Sequence, residues 1–331
     1  MRPLAPLALS MGDPAGIGPE IIAKAWERRE AASLPCFFAV GDVRAVSAVW
    51  NGPVERIDDP RDAARVFGRA LPVVSVVDGD AIIPGKPDIG GARCALQSLE
   101  LAAGLARSDA ASGLVTAPVS KAELYRIGFD YPGQTEFVAE RCGVARENAV
   151  MMLAGPTLRV VPITIHEPLA RVPMALTTDL IVARARATAR GLTRDFGIDA
   201  PRLALAGINP HAGEGGAIGR EEIEVMLPAI EQLRAEGIDI VGPLAADTMF
   251  HPRARARYDA ALCAYHDQAL IPIKTLHFDD GVNITLGLPI VRTSPDHGTA
   301  FDIAGQDMAE PGAMIAAIRM AGAAAARRAT A

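Results

Sequence analysis

The chain has 331 residues, 50% of them hydrophobic and 22% charged, with 33 Lys+Arg against 39 Asp+Glu and a formal net charge of -6. That composition supports a large buried core and two domains, and it offers no basic field for nucleic acid beyond the short tail "ARRATA", which reads as a frayed end. No apolar run reaches the ~20 residues of a membrane helix, and Gly and Asp interrupt "MRPLAPLALSMGDPAG" before signal-peptide length, so a cytoplasmic protein with no membrane partner is expected.

The first predicted strand, 7–11, runs into "MGDPAGIGPE", where Gly12, Gly16 and Gly18 precede Pro19 at a first helical position. The spacing is not G-x-G-x-x-G, and no acidic residue closes a second strand to hold a ribose. This is a tight strand-to-helix turn and a candidate site lining, not a dinucleotide fingerprint. Strands follow at 35–40, 73–77 and 113–116, with a helical pattern over 94–107. The Pro/Gly-rich "FDYPGQTEF" is a candidate crossover between domains, as is the region around Lys274. Strands at 158–165, 203–208 and 260–265 then alternate with helical patterns over 179–193 and 221–236, and a helix over 312–327 closes the chain. Such alternation predicts parallel or mixed sheets covered on both faces. Cys36, Cys94, Cys142 and Cys263 are scattered without a C-x-x-C pair and read as reduced thiols.

Ligands of open α/β sheets collect at the carboxyl ends of strands. Three of the six histidines fall there: "VVPITIHEP" reaches His166, "LALAGINPHAGEGG" reaches His211 through a turn, and "LCAYHDQ" reaches His266. One such histidine is ordinarily a hydrogen-bonded structural residue. Three at equivalent strand ends argue for a catalytic divalent ion such as Zn²⁺, Co²⁺ or Ni²⁺ with an open fourth position. Asp247 in "AADTMF" and Asp267 beside His266 would orient ligands or relay protons; the plain alternative is a cap or loop hydrogen bond. His251, in "FHPRAR", is expected to face solvent. In "IPIKTLHFDDGVNITLGLPIVRTSP", Lys274, Asn283 and Arg292 punctuate an apolar stretch. Lone cations there can snorkel to the surface. With an Asn between them and His266 close in sequence, they favour a phosphate or carboxylate pocket.

Taken together, "MGDPAGIGPEI", "INPHAGEGG", "YHDQ", "GVNITLGLP" and "RTSPDHGTAFDIAG" resemble the 4-hydroxythreonine-4-phosphate dehydrogenases, the PdxA family, over essentially the whole chain. The resemblance implies an α/β, isocitrate/isopropylmalate dehydrogenase-like fold: two α/β/α domains with an active-site cleft between them, 1–125 plus 275–331 and 126–274. It implies a homodimer with shared active sites and one divalent metal per subunit (Zn, Co, Ni, Mn or Mg) on His166, His211 and His266, the last from the partner subunit. Substrate contacts are implied at Gln134, Thr135, Lys274, Asn283 and Arg292, and NAD or NADP near His297, Gly298, Thr299, Ala300 and Asp302. The proton acceptor would be Asp247, Asp267 or Lys121 of "TAPVSK". The family reads Gly-His-Thr-Glu where this chain has "GQTE", so Gln134 replaces a substrate-contacting histidine; it can hydrogen-bond but carries no charge.

The implied reaction is metal- and NAD(P)-dependent oxidation of 4-phosphooxy-L-threonine to 2-amino-3-oxo-4-phosphooxybutanoate. Loss of CO₂ then gives 3-amino-2-oxopropyl phosphate, in pyridoxal phosphate biosynthesis. Rival substrates are threonate or erythronate 4-phosphate and dihydrodiols. A metal-dependent hydrolase or lyase is the alternative of a different class, and "DHGTAFDIAG" argues against it.

Overall fold

The computed structural model describes residues 4–76 and 82–330. Among them run strands β1 Leu7–Ser10, β2 Phe37–Val40, β3 Val54–Ile57, β4 Leu71–Val74, β5 Leu114–Thr116, β6 Val150–Ala154, β7 Arg159–Pro162, β8 Leu203–Ala206, β9 Ile240–Leu244, β10 Ala260–Cys263, β11 Val282–Leu286 and β12 Arg292–Pro295. The chain divides into two compact units. One ends at Gly143 and resumes at Leu288; the other is Val144–Gly287. These borders differ from those expected near residues 125 and 274. The physical reason is local: "GQTEF" opens the helix Gln134–Arg141, and Lys274 lies within the helix His266–Leu276, so neither segment is a crossover.

In the first unit the strands run in the order β3-β4-β2-β1-β5-β12, all parallel. Helices cover such a sheet on both faces, so β1, β2 and β4 are buried at every residue and read as unbroken apolar runs. The helix Ile89–Arg107 starts where the Asp88 side chain accepts from Gly91 N at 2.7 Å. It buries Ala92, Ala95, Leu99, Ala102, Ala103 and Ala106, a single stripe at helical spacing. The expected strand at 73–77 begins two residues earlier, at Leu71, and its last residue, Val77, lies outside the described residues.

The second unit is mixed. Its order is β11-β6-β7-β10-β8-β9, antiparallel across β11, β6 and β7 and parallel from β7 to β9. The helix Thr178–Phe196 is capped by the Thr177 hydroxyl and stops at Gly197, whose φ of 69° is the left-handed conformation such an ending needs. Parallel pairing aligns the carboxyl ends of β7, β10, β8 and β9 along one edge, and that edge carries the candidate residues. No helix among the described residues is long and apolar enough to cross a membrane.

Candidate functional site

In the second unit, the segments leaving β7 and β10 stay paired. Ile163 N donates to Cys263 O at 2.8 Å, and the Thr164 hydroxyl donates to Ala264 O at 2.7 Å. This pairing brings His166 and His266 together, ring centres 5.7 Å apart and 39° inclined. With Zn–N bonds of ~2.0–2.1 Å, two imidazoles around one ion have centres roughly 5–6 Å apart, so the pair fits a shared cation. His266 Nδ1 is held by Asp267 Oδ1 at 2.7 Å, which leaves Nε2 as the ring nitrogen a cation could take.

His211 follows β8, and Asp247 sits in the turn Ala246–Thr248 after β9. The strand ends therefore present His166, His266, His211 and Asp247 in spatial order along the edge. Among the described residues, however, no three His, Cys, Asp or Glu side chains of the chain converge as a metal-holding group. The histidine outside the close pair is His211, which is exposed. Within one chain, β7 and β10 are neighbours and deliver His266 beside His166, the histidine that the resemblance assigns to the partner subunit being His266.

The turn carrying His211 is unusual. His211, Ala212, Gly213, Glu214 and Gly215 have φ of 54°, 52°, 80°, 46° and 65°, five successive residues in the left-handed region. For an L-residue that conformation costs ~1–2 kcal/mol, and three of the five have side chains. His166 has φ 57° as well. Backbone held this way persists only where its surroundings over-determine it, and it clusters at functional sites. Gln268 of "YHDQ" ties the histidine-bearing ends together: its Oε1 accepts from Ala264 N at 2.7 Å and its Nε2 donates to Gly207 O at 2.8 Å. Lys274 is half-buried, its ammonium 5.9 Å from the Phe278 ring. Asn283, on β11, has a buried Oδ1 that accepts no hydrogen bond among the described residues. His251 is exposed, as its polar setting suggests.

The first unit assembles a second group. Arg292, the first residue of β12, is 3% exposed. Its guanidinium donates to the Thr135 hydroxyl at 3.1 Å and the Thr116 hydroxyl at 2.8 Å. Burial lowers its pKa to about 10, against the opposing pull of Glu136. Thr135 stands in the first turn of the helix Gln134–Arg141, whose N-terminal amide groups favour an anion. Gln134 Nε2 donates to Ala117 O at 3.2 Å, while its buried Oε1 accepts nothing among the described residues. Lys121 is exposed, its Nζ 3.9 Å from where a Cβ on Gly133 would lie. A buried cation and two hydroxyls thus meet at a helix N-terminus, the kinds of group that suit an anion.

Beyond β12, His297 and Gly298 are exposed, and a Cβ on Gly298 would meet nothing within 4 Å. Ala300 has φ 41°, and Asp302 is exposed with its carbonyl accepting from Gln306. The "MGDPAGIGPE" loop braces this segment: Ile17 N donates to Thr299 O at 3.0 Å, and a Cβ on Gly16 would come within 3.0 Å of the same oxygen. Within that loop lies Asp13, buried, with its Oδ1 accepting from Ala15 N at 3.0 Å. Burial pushes its carboxyl up to about 6, with Glu123 and Asp88 adding repulsion and the Ala15 amide opposing.

A family model described as pyridoxal phosphate biosynthetic protein PdxA matches residues 34–321. The chain belongs to the PdxA family. It is 60% identical over 316 residues to a 4-hydroxythreonine-4-phosphate dehydrogenase of Zymomonas mobilis, covering 96% of this chain and 94% of that one. A crystal structure of 4-hydroxythreonine-4-phosphate dehydrogenase from Klebsiella pneumoniae superposes with a TM-score of 0.87 at 35% identity, covering 97% of this chain and 98% of the other. A terephthalate 1,2-cis-dihydrodiol dehydrogenase from Burkholderia xenovorans gives 0.67 at 30% identity, over 96% and 98%. As a PdxA family member the chain is a dehydrogenase, an oxidoreductase. Within that frame sequence reading missed Thr116, Asp13, Gln268 and the groups supporting the His211 turn. Gln268, Asp13, Thr116 and Asn209 each lay inside a segment already singled out, "YHDQ", "MGDPAGIGPE", "TAPVSK" and "INPHAGEGG", without being named.

Proposed function

We propose that this PdxA family dehydrogenase oxidises the C3 hydroxyl of 4-phosphooxy-L-threonine with NAD⁺ or NADP⁺, in pyridoxal phosphate biosynthesis. The product, 2-amino-3-oxo-4-phosphooxybutanoate, is a β-keto acid and loses CO₂ to give 3-amino-2-oxopropyl phosphate. The observation that carries the phosphate in this reading is Arg292, a buried guanidinium clasped by Thr116 and Thr135 at a helix N-terminus. Gln134, Thr135, Lys274, Asn283 and Arg292 are the proposed substrate contacts. The orphan amide oxygens of Gln134 and Asn283 suit donors on a polar substrate, such as its hydroxyl and ammonium groups.

The residues for the cofactor are His297, Gly298, Thr299, Ala300 and Asp302, where open backbone at Gly298 leaves room for a ligand against the main chain. His166 and His266 are proposed to hold a divalent ion from one subunit, with His211 supplied by the partner of a homodimer. The exposed His211 and the exposed Leu169, Met174, Ile271 and Phe278 of the same unit support a partner surface. When bound, the ion supplies Lewis acidity to the alcohol oxygen and then to the new carbonyl. Asp267 keeps the His266 ring oriented. The hydroxyl proton goes to Lys121, Asp247 or Asp267; Asp267 is the least available, being engaged with His266 Nδ1.

A second reading is favoured by the dihydrodiol dehydrogenase neighbour: a cis-dihydrodiol substrate. A panel of 4-phosphooxy-L-threonine, threonate 4-phosphate, erythronate 4-phosphate and a cis-dihydrodiol, followed by reduced-nicotinamide absorbance, separates the readings. The proposal expects the highest kcat/KM for 4-phosphooxy-L-threonine, with CO₂ released. Preferential turnover of the dihydrodiol would replace it.

A further inference from the structure

The left-handed turn bearing His211 is gripped from one side by a buried carboxylate. Glu222 is 2% exposed, and it stands in a π-helical turn, Glu222–Met226, a local widening that recurs at functional sites. Its Oε1 accepts from Asn209 N at 2.7 Å and its Oε2 from Asn209 Nδ2 at 2.9 Å. The same Asn209 amide donates to Glu221 Oε2 at 2.7 Å. Asn209 is the residue from which the turn departs.

Glycines let the carboxylate and the turn meet without side chains between them. A Cβ on Gly213 would come 2.7 Å from Glu222 Oε2, and one on Gly219 would come 2.3 Å from Asn209 Nδ2. A Cβ on Gly207 would come 2.9 Å from Ala212 Cα and 3.2 Å from Glu222 Oε1. The carboxylate therefore fixes the turn's entry point twice and lies where a side chain on Gly213 would collide with it. The side chain at the turn's first left-handed position is His211.

We propose that Glu222, through Asn209, is a positioning residue that sets the His211 ring for ligation before the cation arrives. The inference rests on the reading of His211 as a ligand of the divalent ion. Groups that orient metal-binding histidines from behind change affinity by ~10–100-fold when removed. Glu222 would act through the backbone of the turn, not through the imidazole nitrogen.

The test uses the purified full-length protein and Co²⁺, whose visible d–d spectrum reports ligand geometry. Glu222→Gln keeps the side chain's shape and turns one acceptor into a donor facing the Asn209 amide. The proposal expects Co²⁺ affinity to fall ~10–100-fold and the d–d bands to change, with the metal-free melting temperature and circular dichroism close to the parent's. Parental affinity and spectrum in Glu222→Gln would overturn it. His211→Ala separates the two readings. If it keeps the parental affinity and spectrum, the ligand reading fails and takes this inference with it. If it loses them while Glu222→Gln keeps them, only the positioning role fails. Should Glu222→Gln not fold, Asn209→Ala is measured the same way: weakened Co²⁺ binding with altered bands supports the proposal, and unchanged binding overturns it.

Discussion

Arg292 and Asp13 are ionisable groups held where burial disfavours their charge, and they differ in what compensates it. Arg292 has two hydroxyls and a helix N-terminus around it. Asp13 has one backbone amide and two acidic neighbours, and its carboxyl is pushed up to about 6. A carboxyl whose folded-state value is raised contributes stability that is fully present below its unfolded value, near 3.8, and is lost as pH rises through about 6. Asp13→Asn keeps the acceptor for Ala15 and removes that loss. The variant is expected to gain on the order of 3 kcal/mol over the parent above about pH 7, with the gain vanishing below about pH 4. Denaturant midpoints at the two pH values measure this; a gain independent of pH would show that Asp13 does not titrate there.

At the scale of elements, the left-handed turn after β8 is the feature most exposed to a small change. Gly213 and Gly237 have nearly equal φ, 80° and 82°, but a Cβ on Gly237 meets nothing within 4 Å. Gly237→Ala should cost ~1–2 kcal/mol of conformational strain. Gly213→Ala should cost that plus the displacement of Glu222, about 2–4 kcal/mol in all. Paired melting curves give the comparison, and equal losses would mean that the carboxylate is not tightly seated. Much of the element pattern was legible: β1, β2, β4, β5, β7, β8 and β10 each lie within or overlap an apolar run read from the sequence. Five strands were missed; β6 and β11 are buried apolar runs that were passed over, while the other three had physical causes. β3 is only partly buried, β9 contains Pro243, which disfavours a strand reading, and β12 is "RTSP", polar because Arg292 donates to Thr116 and Thr135 and Thr293 donates to Ala317 O. Pro272 similarly hid the helix His266–Leu276. Strand-end histidines could be read from local pattern. Glu222, Asp13 and Thr116 could not, since each acquires its role only through residues distant in sequence or brought close by folding.

For the whole molecule, the proposed arrangement assigns His166 and His266 to one subunit and His211 to its partner, which dictates how defective subunits complement. Heterodimers of His166→Ala with His211→Ala should regain about half the parental activity, because one of the two sites keeps every ligand. Heterodimers of His166→Ala with His266→Ala should stay inactive, because both sites are damaged. The division expected from resemblance alone, with His266 from the partner, predicts the reverse order. Activity of purified, verified heterodimers decides between them. The account as a whole rests on Arg292 selecting a phosphorylated alcohol, and the most direct measurement is kcat/KM for 4-phosphooxy-L-threonine and for 4-hydroxy-L-threonine in the parent and in Arg292→Ala. The account predicts that the variant loses ~10²-fold or more on the phosphorylated substrate, as removal of two charged hydrogen bonds implies, while changing little on the other. An equal fall on both substrates, or none on either, would contradict it.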